Sequence, residues 1–339
     1  MRAYEAVVVA ALLTIPLLFG GGYVLHLVIT TSLMIIAAMS LNLVFGYTGQ
    51  LSLGHVAFFG IGAYVSALSS LGFTIGFTEE WSVSVDPKPV WLSFIFAVIV
   101  SGIFGFLIGK VSFRIRGAYF VIVSISFAEV VRLVALNWVS LTQGPMALNN
   151  IPPFELPIPG LDINYYGKTW SFYLVLALGV LAYVVIARLV RSRVGNAMIA
   201  LRENEPLASS VGIDVTHYLV LGAVVSAAIA GAAGSLYAHY IRIIDPDVFL
   251  FIYTVTMIIM IVTGGKGTLA GPLVGGVLFG AIPPLLREVA DPELQWILYG
   301  GLMIAVMFFM PDGMVPAAQR FWMRLRASWK GPLAANAND

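Results

Sequence analysis

Two oppositely charged residues, Glu129 and Arg132, stand in an otherwise apolar stretch and are the first candidates for chemistry. Residues three apart share one face of a helix, so the carboxylate and the guanidinium can meet there. Burying either charge alone in a nonpolar medium is costly, and two interpretations stay open. In the first, the two charges neutralise each other and Arg132 reaches toward a polar interface. In the second, Arg132 or Glu129 faces an aqueous path and meets the charged end of a zwitterionic solute.

Segment 46–55 is a second polar feature, with three glycines among Gln50, Ser52 and His55. These side chains could satisfy backbone groups if a helix is broken here, and such breaks are tolerated where they line a cavity. The alternative is a turn that joins two helices. If there is a solute path, its candidate residues are Asn42, Gln50, Ser52, His55, Glu129 and Arg132.

The sequence predicts no catalytic residue and no metal site. It contains no cysteine, and its four histidines do not cluster with carboxylates at the spacing of metal ligands. The glycine-rich stretch 264–272 is not a phosphate loop, because Met260 occupies the place of the first glycine and Gly267 follows Lys266 where Ser or Thr is required. We therefore expect this chain itself to bind no cofactor.

The composition places these residues in a membrane protein. The 339 residues are 60% hydrophobic and 10% charged, with a mean hydropathy of +0.94. A soluble domain is about 45–50% apolar and about 25% charged, so this apolar excess does not fit one water-soluble core. The 18 Lys and Arg nearly balance the 17 Asp and Glu, which excludes nucleic acid as a partner attracted by net charge.

Long uncharged runs separate the charged residues and predict an all-α polytopic membrane protein with about ten transmembrane helices, since one span needs about 20 apolar residues. Segments 73–89 and 139–168 are predicted to be the two long outer loops. The predicted spans lie near 6–21, 24–45, 51–72, 90–109, 117–138, 169–187, 217–240, 249–263, 268–284 and 294–310.

The basic residues predict the orientation, because cytoplasmic loops retain Lys and Arg. With both termini in the cytoplasm, the inner segments hold 13 of the 18 basic residues, the outer loops hold four, and Arg132 lies within a span. The tail 311–339 is basic and is predicted to be an interfacial segment followed by disorder.

The cytoplasmic segment 188–216 predicts a protruding knob made of two short helices. One helix covers about 196–203, and a second starts at Asn204 to Pro206 and ends at Gly212, because Pro suits a first helical turn and Gly a helix end. We expect the knob to enter a groove on a partner. Its predicted exposed apolar residues are Met198, Leu201, Leu207 and Val211.

Several motifs resemble the branched-chain amino acid permease family of ABC importers, in particular its LivM-type subunits. Segment 202–214 is similar to the family's coupling-helix segment, although Pro206, Leu207 and Ala208 replace the general Glu-Ala-Ala and Glu205 comes one residue early. The resemblance extends over about residues 30–315. Its other motifs are Leu41 to His55, Arg116 to Phe120, Phe127 to Leu133 and Gly264 to Pro272.

This resemblance implies a permease domain over residues 1–310, a basic cytoplasmic tail over 311–339, and a location in the bacterial cytoplasmic (inner) membrane. The implied partners are a second permease subunit, two ATPase subunits that bind the ATP, and a solute-binding protein that contacts the outer segment 139–168. The role implied for this chain is transport and not catalysis. The residues implied to couple to the ATPase are Arg202, Glu203, Glu205, Pro206, Leu207, Ala208 and Gly212.

Two alternatives to a branched-chain amino acid permease stay open at this point. Urea and short-amide permeases resemble the same family and would keep the mechanism while changing the solute. A secondary transporter driven by an ion gradient would use Glu129 as its ion site. Transport by the chain alone in liposomes without ATP would favour the secondary transporter.

Overall fold

A computed structural model describes residues 22–76, 82–113, 117–156, 165–286 and 292–329, together with Thr14 and Pro16. The described chain is mostly helical, as the uncharged runs predict. Its α-helices in chain order are α1 (Gly22–Asn42), α2 (Val56–Leu71), α3 (Val90–Ser112), α4 (Ala118–Asn137), α5 (Val139–Thr142), α6 (Lys168–Val190), α7 (Arg193–Glu203), α8 (Glu205–Ser210), α9 (Val215–Ile241), α10 (Phe251–Gly264), α11 (Gly271–Leu286), α12 (Pro292–Phe309) and α13 (Met314–Trp329).

The predicted spans from 24–45 to 294–310 each coincide with a helix, whereas almost all of the first, 6–21, lies outside the described residues. Within the described ranges, five helices are long and apolar enough to cross a membrane, and α2, α10 and α11 are apolar but shorter. The five are Gly22–Tyr47, Val90–Ser112, Tyr119–Asn137, Lys168–Val190 and Val215–Ile241.

The centre of the molecule is built on α9, which packs against α1, α2 and α3. Small residues, among them Ala227, Ala230 and Ala233, form most of its buried surface. Such residues let helix backbones approach closely, which matters in lipid because hydrophobic burial does not press helices together there. The main core also contains bulky residues of α1 and α2 such as Leu33 and Phe59.

The two segments predicted to be outer loops have structure beyond the sequence prediction. Segment 73–89 contains an antiparallel hairpin, β1 (Phe73–Gly76) with β2 (Ser82–Val85), a short β element within the predicted all-α fold. The alternating Ser and Val of β2 suit a strand with one face packed. The described part of 139–168 is ordered, because Leu148 and Ile244 exchange backbone hydrogen bonds of 2.8 and 3.0 Å.

Candidate functional site

Helix α1 does not turn sharply into α2. It continues as one π-helical turn, Leu43–Tyr47, and residues 48–55 then run back along α1 before α2 starts. His55 Nε2 lies 2.8 Å from Ser40 Oγ, although Ser40 lies roughly 10 Å up α1 from Tyr47 at the rise of an α-helix. Of the two interpretations of segment 46–55, this geometry favours the broken helix over a tight turn.

Neighbouring helices satisfy backbone groups of this returning segment. The N–H of Leu53 donates to Ser124 Oγ on α4 at 3.0 Å, and the N–H of Val56 donates to Thr254 Oγ1 on α10 at 3.2 Å. Closer in the chain, the N–H of Gln50 donates to the carbonyl oxygen of Val44 in the π-helical turn at 3.1 Å. Buried backbone donors need such partners, so the segment is fixed by helices far from it in the chain.

A small cavity lies beside the returning segment and is lined by two of the predicted path residues, Ser52 and His55. Ser52 is 6% exposed, and its hydroxyl forms no hydrogen bond with any described residue. Among the described residues, no charged side chain lines the cavity. Its remaining walls are Val44, Gly54, Phe58, Gly105, Ile108, Gly109, Phe113, Phe120, Ser124, Phe127, Ala223 and Ser226.

Ser40 and His55 form a buried polar contact beside the cavity. Ser40 Oγ lies 2.7 Å from Ala37 O and 2.8 Å from His55 Nε2, and the tautomer of His55 sets which of the two accepts the hydroxyl proton. The polar groups at the cavity are hydroxyls and one imidazole, set among apolar walls.

The other path candidates do not line this cavity. Asn42 is buried and hydrogen-bonds with the loop between α10 and α11, while Gln50 is only partly buried. Arg132 Nη2 lies 2.7 Å from Glu129 Oε1, so the two charged residues pair with each other. Their side chains are 21% and 50% exposed, on a surface of α4 that also exposes Val130.

The segment predicted to couple to a partner forms two short helices, as expected. Helix α7 starts at Arg193, three residues earlier than predicted, because Ser192 Oγ accepts hydrogen bonds from the first backbone N–H groups. Asn204 Oδ1 accepts the N–H of Leu207 at 3.0 Å and so caps α8. Gly212 follows α8 with a φ of +88°, the backbone that favours glycine after a helix end.

Only part of the predicted apolar surface of this knob is exposed. Leu207 and Val211 are 62% and 71% exposed, as predicted, but Met198 and Leu201 are buried and that prediction is wrong. Met198 packs with Leu43 and Tyr47, and Leu201 packs in a cluster with aromatic residues at the facing ends of α3 and α4. The apolar face of α7 therefore holds the knob on the helix bundle, and α8 carries the exposed apolar residues.

The predicted coupling residues differ in where they point. Glu203 and Pro206 are exposed, Glu205 is partly buried, and Ala208 is buried in the same cluster as Leu201. Arg202 turns inward instead: its Nη1 donates to the carbonyl oxygen of Gly46 at 2.9 Å, and its Nε donates to Glu203 Oε1 at 3.1 Å.

Comparison with known proteins identifies the family. The family model for the permease component of branched-chain amino acid transport systems matches residues 23–307. The chain belongs to this family. The resemblance inferred from the coupling segment and the other motifs is thereby confirmed.

Individual relatives agree with the family assignment of this permease. It is 33% identical over 305 residues to the "High-affinity branched-chain amino acid transport system permease protein LivM" of Salmonella typhimurium, covering 84% of this chain and 68% of the relative. It is 28% identical over 286 residues to LivH of the same organism, covering 82% and 89%. A probable LivM of Methanocaldococcus jannaschii is 25% identical over 315 residues, covering 83% and 90%. No solved structure matches the permease.

Several polar residues of the permease were missed by the sequence prediction. Ser124 and Ser226 line the cavity, and Ser226 Oγ donates to the carbonyl oxygen of Ser40. Ser66 was missed as well, and its Oγ lies 2.8 Å from His239 Nε2 between α9 and α2. Single Ser residues in apolar helices are too common to mark a site. In the described ranges, no group of three or more His, Asp or Glu is placed to hold a metal ion.

Proposed function

We propose that this permease is a membrane-spanning subunit of a binding-protein-dependent ABC importer for branched-chain or related amino acids. The similarity to LivM and LivH, whose names state branched-chain amino acid transport, supports this solute class. The structural observation that carries the proposal is α8, a short capped helix that exposes Leu207 beside the helix bundle. Such a surface suits a partner that supplies the energy of transport.

The proposed topology has ten spans and both termini in the cytoplasm of a bacterium, with the protein in the inner membrane. The coincidence of the predicted spans with apolar helices supports the span positions, and the distribution of basic residues supports the orientation. In this orientation the knob α7–α8 lies in the cytoplasm and segment 139–156 lies outside.

Two ATPase subunits bind ATP, and one of them docks on the knob of this chain. Leu207 and Val211 provide the apolar contact, and the capped ends of α8 keep it in one conformation. Closure of the ATPases moves the knob and switches the spans between inward-facing and outward-facing states.

The remaining partners are a second permease subunit and an outer solute-binding protein. The paired Glu129 and Arg132 lie on a partly exposed, mostly apolar face of α4, and a neighbouring permease would remove this ion pair from lipid. On the outer side, Met146 is 81% exposed on a segment whose backbone is held to Ile244, and this ordered surface suits the binding protein.

The cavity beside Ser52 and His55 lies on the proposed solute path. The cavity is only about 20 Å³, room for about one water, so a solute enters it only when the surrounding helices move apart. The Ser52 hydroxyl has no hydrogen-bond partner among the described residues, and with the imidazole of His55 it is available to the polar end of the solute.

The test is reconstitution of the complete complex in liposomes with ATP inside, assayed with leucine, isoleucine, valine and urea. We expect uptake of the aliphatic amino acids that depends on ATP and on the binding protein. Leu207→Asp should prevent ATPase association and uptake, while the matched variant Leu207→Met should keep both. Uptake without ATP, or urea as the preferred solute, would contradict the proposal.

A further inference from the structure

Three segments that are far apart in the chain meet where α1 ends. They are the end of α1 with its π-helical turn (residues 42–47), Arg202 on α7, and the loop 265–268 between α10 and α11. We call this meeting point the junction. Arg202 and Gly46 are hydrogen-bonded although they are 156 positions apart in the sequence, and Asn42 and Thr268 although they are 226 positions apart.

Asn42 holds the loop to α1 with both ends of its amide. Its Oδ1 accepts the N–H of Gly267 at 3.0 Å, and its Nδ2 donates to the carbonyl oxygen of Thr268 at 2.9 Å. A buried amide that is satisfied at both ends fixes the position of the loop, because moving the loop would leave buried polar groups without partners.

Arg202 holds the knob to the same turn of α1. Its Nη1 reaches the carbonyl oxygen of Gly46, and the rest of the guanidinium is oriented by Glu203. A hydrogen bond from a charged donor is stronger than a neutral one, so this contact resists displacement. Arg202 thus joins α7 to the turn from which the returning segment leaves.

The junction is packed too closely for added atoms. A Cβ on Gly267 would lie 2.6 Å from Arg202 Nη1 and 2.9 Å from the carbonyl oxygen of Gly46. A Cβ on Gly46 would collide with Asn42 Oδ1. Gly267 also has a φ of +70°, which favours glycine. The two glycines are therefore required for the three segments to touch.

Lys266 adds a second cation to the junction. Its Nζ lies 4.1 Å from the centre of the Phe45 ring, which attracts a positive charge. Burial, and after it the nearby charge of Arg202, lowers the pKa of Lys266. Phe45 faces Lys266 and Glu203 faces Arg202, so each cation has a favourable partner.

From these contacts we infer that Arg202 is a positioning residue that transmits movement of the knob to the broken segment 48–55 and thus to the cavity. Arg202 on α7 and Leu207 on α8 then have different roles. Leu207 contacts the ATPase, and Arg202 connects the docked knob to α1. This inference rests on the proposed function, because it requires an ATPase that moves the knob.

The test uses Arg202→Gln and Gly267→Ala in the reconstituted complex, with Lys110→Gln as a control that removes an exposed cation at the inner end of α3. Three quantities are measured: ATPase association, ATP hydrolysis and leucine uptake per ATP hydrolysed. Loss of one charged hydrogen bond should lower uptake per ATP by about tenfold or more in both variants, with association and hydrolysis retained. The control should match the original protein.

Two results would overturn the inference. One is unchanged uptake per ATP in Arg202→Gln, and the other is loss of ATPase association in Arg202→Gln, which would make Arg202 a direct contact. Because Arg202 is partly exposed, its replacement by Gln leaves no buried charge unpaired, and folding of the variant is checked by its thermal unfolding in detergent. Failure of the proposed function is distinguished by Leu207→Asp: normal association in that variant rejects α8 as the docking surface whatever Arg202 does.

Discussion

The imidazole of His55 is hydrogen-bonded to the hydroxyl of Ser40, with 2.8 Å between Nε2 and Oγ. Because His55 directly precedes α2 and Ser40 lies on α1, this contact brings the start of α2 back beside α1. It places the Ser52 hydroxyl at the cavity instead of beyond the end of the helices.

His55→Ala should destabilise the protein. The substitution removes a fully buried side chain and the hydrogen-bond partner of Ser40 Oγ, which costs about 1–3 kcal/mol for the hydrogen bond before any cavity term. Thermal unfolding in detergent measures the loss. The matched control is His217→Ala, since His217 is exposed near the start of α9. Equal unfolding temperatures for the two variants would show that the Ser40 contact contributes nothing.

Ser52→Leu should block transport without preventing assembly. A leucine here would project its extra carbons into a cavity that is already narrow, whereas Ser52→Ala only removes an unpartnered hydroxyl. We expect uptake to fall to background in Ser52→Leu and to stay measurable in Ser52→Ala, with the ATPase bound in both. Normal leucine uptake by Ser52→Leu would exclude this cavity from the solute path.

Much of the fold follows from the sequence because apolar runs separated by charges indicate helices directly. The ends of α8 were also predictable, since Asn204, Pro206 and Gly212 act through local backbone chemistry. Tertiary burial was not predictable in the same way. An apolar residue such as Met198 suits either contact with a partner or burial in the bundle. The structure shows that Met198 is buried beside Tyr47, far from it in the chain.

The candidate site was predictable only in part. Ser52 and His55 were identified because polar residues beside glycines in an apolar run are unusual. Asn42 was identified too, but its partners Gly267 and Thr268 are more than 220 positions away, and no local pattern connects them. The direction of Arg202 depends on the same long-range packing, so the resemblance implied a coupling residue without indicating that its side chain meets Gly46.

Neutralising one member of the Glu129–Arg132 pair should weaken binding of the second permease subunit more than neutralising both. Each single variant, Glu129→Gln or Arg132→Gln, leaves one charge on α4 without its partner, while the double variant leaves none. Recovery of the second permease subunit during purification of the complex measures the effect. We expect reduced recovery in both single variants and better recovery in the double variant.

A different result would assign the pair to the solute path. If the double variant assembles normally but its uptake is as low as that of the single variants, the charges act on the solute and not only on each other. A double-mutant cycle on uptake separates these outcomes, because independent effects add and paired effects do not.

The proposed orientation can be tested with single cysteines, because the chain contains none of its own. Ser210→Cys on α8 and Met146→Cys on the outer segment replace exposed residues, so neither change disturbs the core. In intact cells, a thiol reagent that does not cross the membrane should label residue 146 and not residue 210, and permeabilised cells should allow both. Labelling of Ser210→Cys in intact cells would place the knob on the side away from any ATP-hydrolysing partner. The coupling role of α8 and the transmission through Arg202 would then both be wrong.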